Sequence, residues 1–225
     1  MSVKKFGLTV AAIFVLFGAV ALAQEETPKP KEVFLESAER ITYDSKNEIF
    51  NASGNVVVVQ GKNRIECGEL AFNLKENQGS FQKGVKVTRE KTEIRALSME
   101  GDFDREVYTF QGEVELKKER EEKGEVSTIL WKTASLSYDG TSEEAWSESK
   151  AEITWKEIRL LADRVHYFPK DEARGEKERI VLEGNVFITE KDREMQVAKA
   201  VYFLDDETLE AEGITRARFL IKEKE

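Results

Sequence analysis

The side chains that most often do chemistry are scarce in this chain of 225 residues: it has one cysteine, Cys67, and one histidine, His166. A single cysteine forms no intramolecular disulfide and no cysteine-rich zinc site, and a single histidine builds no multi-histidine metal centre. Cys67 stands at a small-residue position of a repeated pattern, where a thiol packs as a small hydrophobe. His166, beside Tyr167 on an alternating segment, reads as a surface or edge residue rather than a general base. The acidic pairs Glu143-Glu144 and Asp205-Asp206 fall in turn-like segments. They are too scattered for a glycosidase carboxylate pair or a calcium loop. Trp131, Trp146 and Trp155 read as packing or sheet-face residues rather than a sugar platform. No catalytic residue, metal ligand or cofactor is expected, and the chain is not expected to be an enzyme.

The elements that would position any site read as strands. One recurring segment is small-x-x-apolar-x-aromatic: Cys67, Leu70 and Phe72; Ala162, Val165 and Tyr167; Ala198, Val201 and Phe203. Further copies are Ala38, Ile41 and Tyr43, and Thr133, Leu136 and Tyr138, with an imperfect one at Ala96, Met99 and Gly101. A second segment alternates around a glycine. Its strongest copies are Gly54-Asn55-Val56 and Gly184-Asn185-Val186, with weaker ones at Gly84, Gly112 and Gly213 and Ser149 in the glycine place of the fourth. Tyr108, Phe110, Gly112, Val114 and Leu116 alternate with polar residues, the period of a strand with one apolar face. The two segments recur together about six times at roughly 30 residues, the mark of a repeat architecture.

Polar turns such as Asp139-Gly140-Thr141-Ser142 and Asp205-Asp206-Glu207 suit hairpins. The charged run from Lys117 to Glu125 reads as a solvated loop or fraying strand ends. A short helix over Glu172 to Arg179 stays open as an alternative. Two-strand units cannot bury a face alone and must stack. A sandwich-like roll and a parallel β-solenoid both fit. The unequal unit lengths favour the roll: an all-β, twisted, open jelly roll of two facing antiparallel sheets, built from about six hairpin-like repeats.

The N-terminus has another character. Lys4 and Lys5 precede the uncharged apolar stretch from Phe6 to Val20, and Ala21-Leu22-Ala23 fits the small-x-small cleavage rule. Residues 1–23 therefore read as a secretory signal peptide, 24–32 as an extended leader, 33–221 as the β-roll and 222–225 as a charged tail. An uncleaved membrane anchor is the competing reading. The expected location is the periplasm. With 35 Lys and Arg against 44 Asp and Glu, the net charge is −9, so no nucleic-acid partner is expected.

At Gly54 to Gly61, then Ile65-Glu66-Cys67-Gly68-Glu69-Leu70-Ala71-Phe72, the chain resembles the LptA/OstA-like family of lipopolysaccharide-transport bridge proteins. Leu161-Ala162-Asp163-Arg164-Val165-His166-Tyr167 carries that family's alanine-aspartate motif intact, and the stretch from Leu182 to Phe203 resembles the next junction. The resemblance spans about residues 33 to 221. Cys67-Gly68 departs from alanine-aspartate, the third unit lacks its aromatic and the fourth its glycine. What the resemblance implies is an open roll with an apolar groove, end-to-end joining of rolls, and passage of lipopolysaccharide between membranes.

Exposing acyl chain to water costs roughly 0.8 kcal/mol per methylene, so a chain of about a dozen carbons costs on the order of 10 kcal/mol. A lipid crossing an aqueous space needs an apolar lining. The candidates are Leu70, Phe72, Phe81, Val85, Phe110, Val114, Tyr138, Tyr167, Val186, Ile188 and Phe203; the same residues would equally fill a dry core. The expected partners are lipopolysaccharide or a similar glycolipid, and other β-jelly-roll transport components or a second copy through strand addition at the edges Val33 to Tyr43 and Ile214 to Ile221. A structural envelope scaffold without lipid is the alternative, or a membrane-anchored bridge partner if the N-terminus stays uncleaved.

Overall fold

The computed structural model describes residues 32–122 and 124–220. The expected signal peptide, most of the leader and the charged tail lie outside the described residues. Every regular element in the described region is a strand. In chain order these are β1 Phe34–Ser37, β2 Arg40–Asp44, β3 Ile49–Gln60, β4 Asn63–Asn73, β5 Gln78–Gln82 and β6 Val85–Arg89; then β7 Thr92–Ala96, β8 Ser98–Asp102, β9 Val107–Glu122, β10 Glu125–Asp139, β11 Ala145–Ser147 and β12 Ala151–Trp155; finally β13 Ile158–Ala162, β14 Arg164–Phe168, β15 Arg179–Glu190, β16 Arg193–Phe203, β17 Thr208–Glu212 and β18 Arg216–Phe219.

All pairings are antiparallel, and they follow one up-and-down order. The long strand β3 pairs with β1 and β2 on one side and with β4 on the other. β4 pairs with β5 and β6, which pass the ladder to β8 and β7 and so to β9. The same sequence repeats from β9 and β10 to β15, and again to β17 and β18. Twelve rungs result, each a long strand or two collinear short ones, and these are the six two-strand units. Each rung bends at its middle. One half of every rung belongs to a first half-sheet (β2, β5, β8, β11, β14, β17 and the matching ends of the long strands), the other to a second.

The bend has a local cause. Gly184 and Asn185 both have positive φ, +74° and +44°, and together they stand opposite a single step of β16. This is a β-bulge, which kinks the strand and increases its twist. Gly54-Asn55 and Gly112-Glu113 do the same in β3 and β9. The neighbouring rung stitches to the bulge: Asp163 N–H donates to Gly184 O at 2.9 Å, and Asn185 Nδ2 donates to the Asp163 carboxylate at 2.7 Å. Glu39 plays the aspartate's part for Gly54 and Asn55. In the fourth unit, which has no glycine, the Ser149, Thr133 and Ser147 hydroxyls form a network at the bend. The glycine-asparagine and alanine-aspartate motifs are thus the two sides of one crease.

The small-x-x-apolar spacing is the other side of the same geometry. Cys67 and Leu70 are both buried although three residues apart, because the strand changes half-sheet between them. In the last unit the inward set is Val197, Ala200 and Tyr202. That frame lies one residue before the expected Ala198, Val201 and Phe203.

Residues 117–122 of the charged run continue β9 as a paired strand rather than a loop or frayed end. They form the far end of the β9–β10 hairpin, paired through to Glu122 opposite Glu125. No helix forms over Glu172 to Arg179; a tight turn bridges Asp171 and Glu176 there.

Candidate functional site

The two half-sheets face each other across one continuous apolar interior. Of the expected lining residues, Leu70, Phe72, Phe81, Phe110, Tyr138 and Tyr167 enter it from the first half-sheet, and Val85, Val114, Val186 and Ile188 from the second; all are buried. Phe203 does not. The register sets Tyr202 opposite buried Ile180 and Phe203 opposite Arg179, so Phe203 lies on the outer face, with the Lys177 ammonium 5.9 Å from its ring centroid. Its place inside is taken by Tyr202. Ile65, Ile94, Met99, Trp131, Leu136 and Ile153 also fill the interior. Met99, Leu136 and Ile153 stand at positions of the sequence repeat, and Ile65, Ile94 and Trp131 follow the same alternation along their strands.

Opposite the crease lies the mouth, where no strand pairs across. Side chains bridge it instead. Tyr108 hydroxyl donates to Gln60 Oε1 at 3.0 Å and accepts from Asn63 Nδ2 at 3.3 Å. Arg89 reaches Glu106 and Glu143, each at 3.9 Å. Arg120, nearly buried, holds Glu178 at 2.7 Å and Asp205 at 3.0 Å, while Tyr167 hydroxyl donates to Glu178 at 2.6 Å. Further along, Trp155 meets Tyr202 edge-on at 5.9 Å, and Lys156 pairs with Glu207. The strand pattern alone gave no signal for these bridges. They join residues far apart in sequence, and most lie in turns or in the charged run.

The bridges show the twist of the roll. The turn at Gln60 and Asn63, between the second and third rungs, reaches Phe103 and Tyr108, between the fifth and sixth. The hairpin at Trp155 and Lys156, after the eighth rung, reaches Tyr202 and Glu207 at the eleventh. At these bridges a strand of the second half-sheet faces one of the first about three rungs on, an offset that the twist of the sheets produces.

Between the Arg89 and Arg120 bridges the mouth is rimmed by Thr92, Lys118, Glu143 and Tyr167. Beneath it lies a void of about 20 Å³ floored by Leu116, Ile129, Trp131, Ile153 and Ile180. That is room for about one water. Burial holds the Tyr138 phenol protonated up to about pH 12. Burial likewise raises Tyr108 and Tyr167, the latter also through the Glu178 charge.

The remaining candidates are placed as packing groups. Cys67 is buried, its thiol pushed up to about 11 by desolvation. His166 lies on the outer face, with Glu144 Oε2 at 2.9 Å from Nε2 and its ring stacked on Phe168 at 3.8 Å. Trp146 shares that face, while Trp131 and Trp155 point inward. Among the described residues no three His, Cys, Asp or Glu side chains converge as a metal site.

No protein-family model matches the chain. No curated protein matches it either. Among solved structures it is similar to LptH, the LptA-homologous periplasmic component of the lipopolysaccharide transport device of Pseudomonas aeruginosa. The two are 14% identical over 49% of this chain and 76% of that one, with a TM-score of 0.40.

Proposed function

We propose that this roll is a non-enzymatic lipid-binding protein of the cell envelope, located in the periplasm, which shields acyl chains of the lipopolysaccharide type on their way to the outer membrane. One observation carries the reading: an apolar interior that runs through nearly every rung beneath a mouth closed by side chains and not by backbone pairing. Side-chain bridges can part without breaking a ladder hydrogen bond. The residues that resemble the bridge family lie along this same interior. The charged and polar groups at the mouth would keep a headgroup in water while chains enter between the half-sheets.

The test is photocrosslinking. A benzophenone amino acid at Phe110 or Val186 should capture added lipopolysaccharide, whereas one at outward-facing Thr109 should not. Equal, negligible capture at all three positions in folded protein would remove the support for this reading.

A second reading has its own observation. The void beneath the mouth holds about one water as it stands, which suits a scaffold that carries no lipid. Mass spectrometry of extracts from the purified protein separates the two, because a scaffold co-purifies with no stoichiometric lipid. N-terminal sequencing of the mature protein distinguishes a released periplasmic form from an anchored one.

A further inference from the structure

We propose that the gap at Lys118 is a side port for a single acyl chain bearing an anionic group close to an ester or amide carbonyl. The inference rests on the lipid-binding reading and assigns it an entry point and a headgroup contact. Three inward-facing cations line the mouth: Arg89, Lys118 and Arg120. Arg89 and Arg120 have carboxylate partners across it. Lys118 has none at ion-pair distance among the described residues; its ammonium lies 5.0 Å from the Tyr167 ring centroid. A cation over an aromatic face is held weakly and remains available to a phosphate or carboxylate.

The second observation comes from the floor. Trp131 is 2% exposed and lines the void beneath Lys118, yet its indole N–H has no hydrogen-bond partner. A buried donor without an acceptor is costly, and an incoming acceptor relieves that cost. The register places the two residues on neighbouring strands of one face, Lys118 opposite Ile129 and Leu116 opposite Trp131. Such diagonal neighbours lie roughly 7–8 Å apart. That spacing suits a phosphate on Lys118 and an ester carbonyl on the Trp131 N–H, with the chain continuing among Ile153, Ile180 and Leu116. The present void holds about one water, so the chain must widen it. The flanking Arg89 and Arg120 bridges need not break, because the port lies between them.

The probes are palmitoyl lysophosphatidate, which has one ester chain and a phosphate, and its neutral counterpart monopalmitoylglycerol. Both are titrated below their micelle-forming concentrations by calorimetry. Lys118→Gln should weaken lysophosphatidate about tenfold, the scale of one charge-assisted contact, and leave monopalmitoylglycerol unchanged. Lys118→Arg should restore binding. Trp131→Phe, which keeps a smaller aromatic ring and loses the indole N–H, should weaken both probes about threefold. Wild-type affinity for lysophosphatidate in both Lys118→Gln and Trp131→Phe would overturn the port while leaving the lipid-binding reading intact. Wild-type protein that binds neither amphiphile would overturn both. Thermal melts of each variant establish that it is folded.

Discussion

Cys67 acts in this fold as a packing group. Its thiol is desolvated between the half-sheets, with Sγ 3.2 Å from Glu69 O, and titrates near 11 instead of 9.0. A folded-state pKa raised above the unfolded value means that between pH 9 and pH 11 the unfolded chain releases a proton that the folded chain keeps. Stability from this group is therefore whole below pH 9 and declines as pH rises toward 11. Urea titrations at pH 8 and pH 10.5 should show wild type losing more stability than Cys67→Ser over that interval, on the order of 1 kcal/mol after solvent screening. Equal losses would mean the thiol is not desolvated. The burial of Cys67 was legible because its small-x-x-apolar position is shared by Ala162. The orientation of Phe203 was not. Val197-x-x-Ala200-x-Tyr202 and Ala198-x-x-Val201-x-Phe203 fit the same pattern, and only the pairing of Tyr202 with Ile180 decides between them.

At the scale of the element, the repeat is a device for bending strands. A two-residue bulge with both residues at positive φ turns one rung, and a parity shift turns the next, so alternate strands reach the same crease by different means. Gly184 is bound twice over: by its φ of +74°, and because an added Cβ would stand 2.9 Å from the Asp163 carboxylate. Gly175 has a φ of +67° in a turn with nothing within 4 Å of such a Cβ. Gly175→Ala should cost about 1 kcal/mol and Gly184→Ala clearly more, about 2–3 kcal/mol, in chemical denaturation. Equal costs would show that Asp163 moves aside freely and that the stitch is slack. In the sequence the glycines marked the middles of strands and, with the small-x-x-apolar segments, gave the repeat count, but not the bend. The mouth had no such herald. Arg120 sits in a run of charges that resembles solvated text, and its burial depends on Glu178 and Asp205, which lie more than fifty positions later.

For the whole molecule, the unpaired rungs matter most. Ile41 and Tyr43 on β2 are 51% and 54% exposed, and Phe219 on β18 is 58% exposed. By register Ile41 stands opposite buried Ala52, so its side chain belongs to the interior face although it is half exposed among the described residues. Edge strands with uncovered apolar groups invite strand addition. Light scattering should show the molar mass rising with concentration, and the double variant Tyr43→Lys, Phe219→Glu should hold it at the monomer value. A wild-type monomer at all concentrations would leave only a different partner for these edges. The three-rung offset between facing strands gives the ends a particular cut. At the start, the first half-sheet is bare, with all of β2 exposed while Leu35 on β1 is half-covered. At the finish, it is the second: β18 is exposed throughout while Leu209 and Ala211 on β17 still pack on the core. Were two copies to join end to end, such ends would meet as a carpenter's scarf joint does, by overlapping bevels rather than by flat faces. A seam of that kind spreads over several rungs, so two rolls could slide into line with their interiors already continuous before the last pair of strands engages.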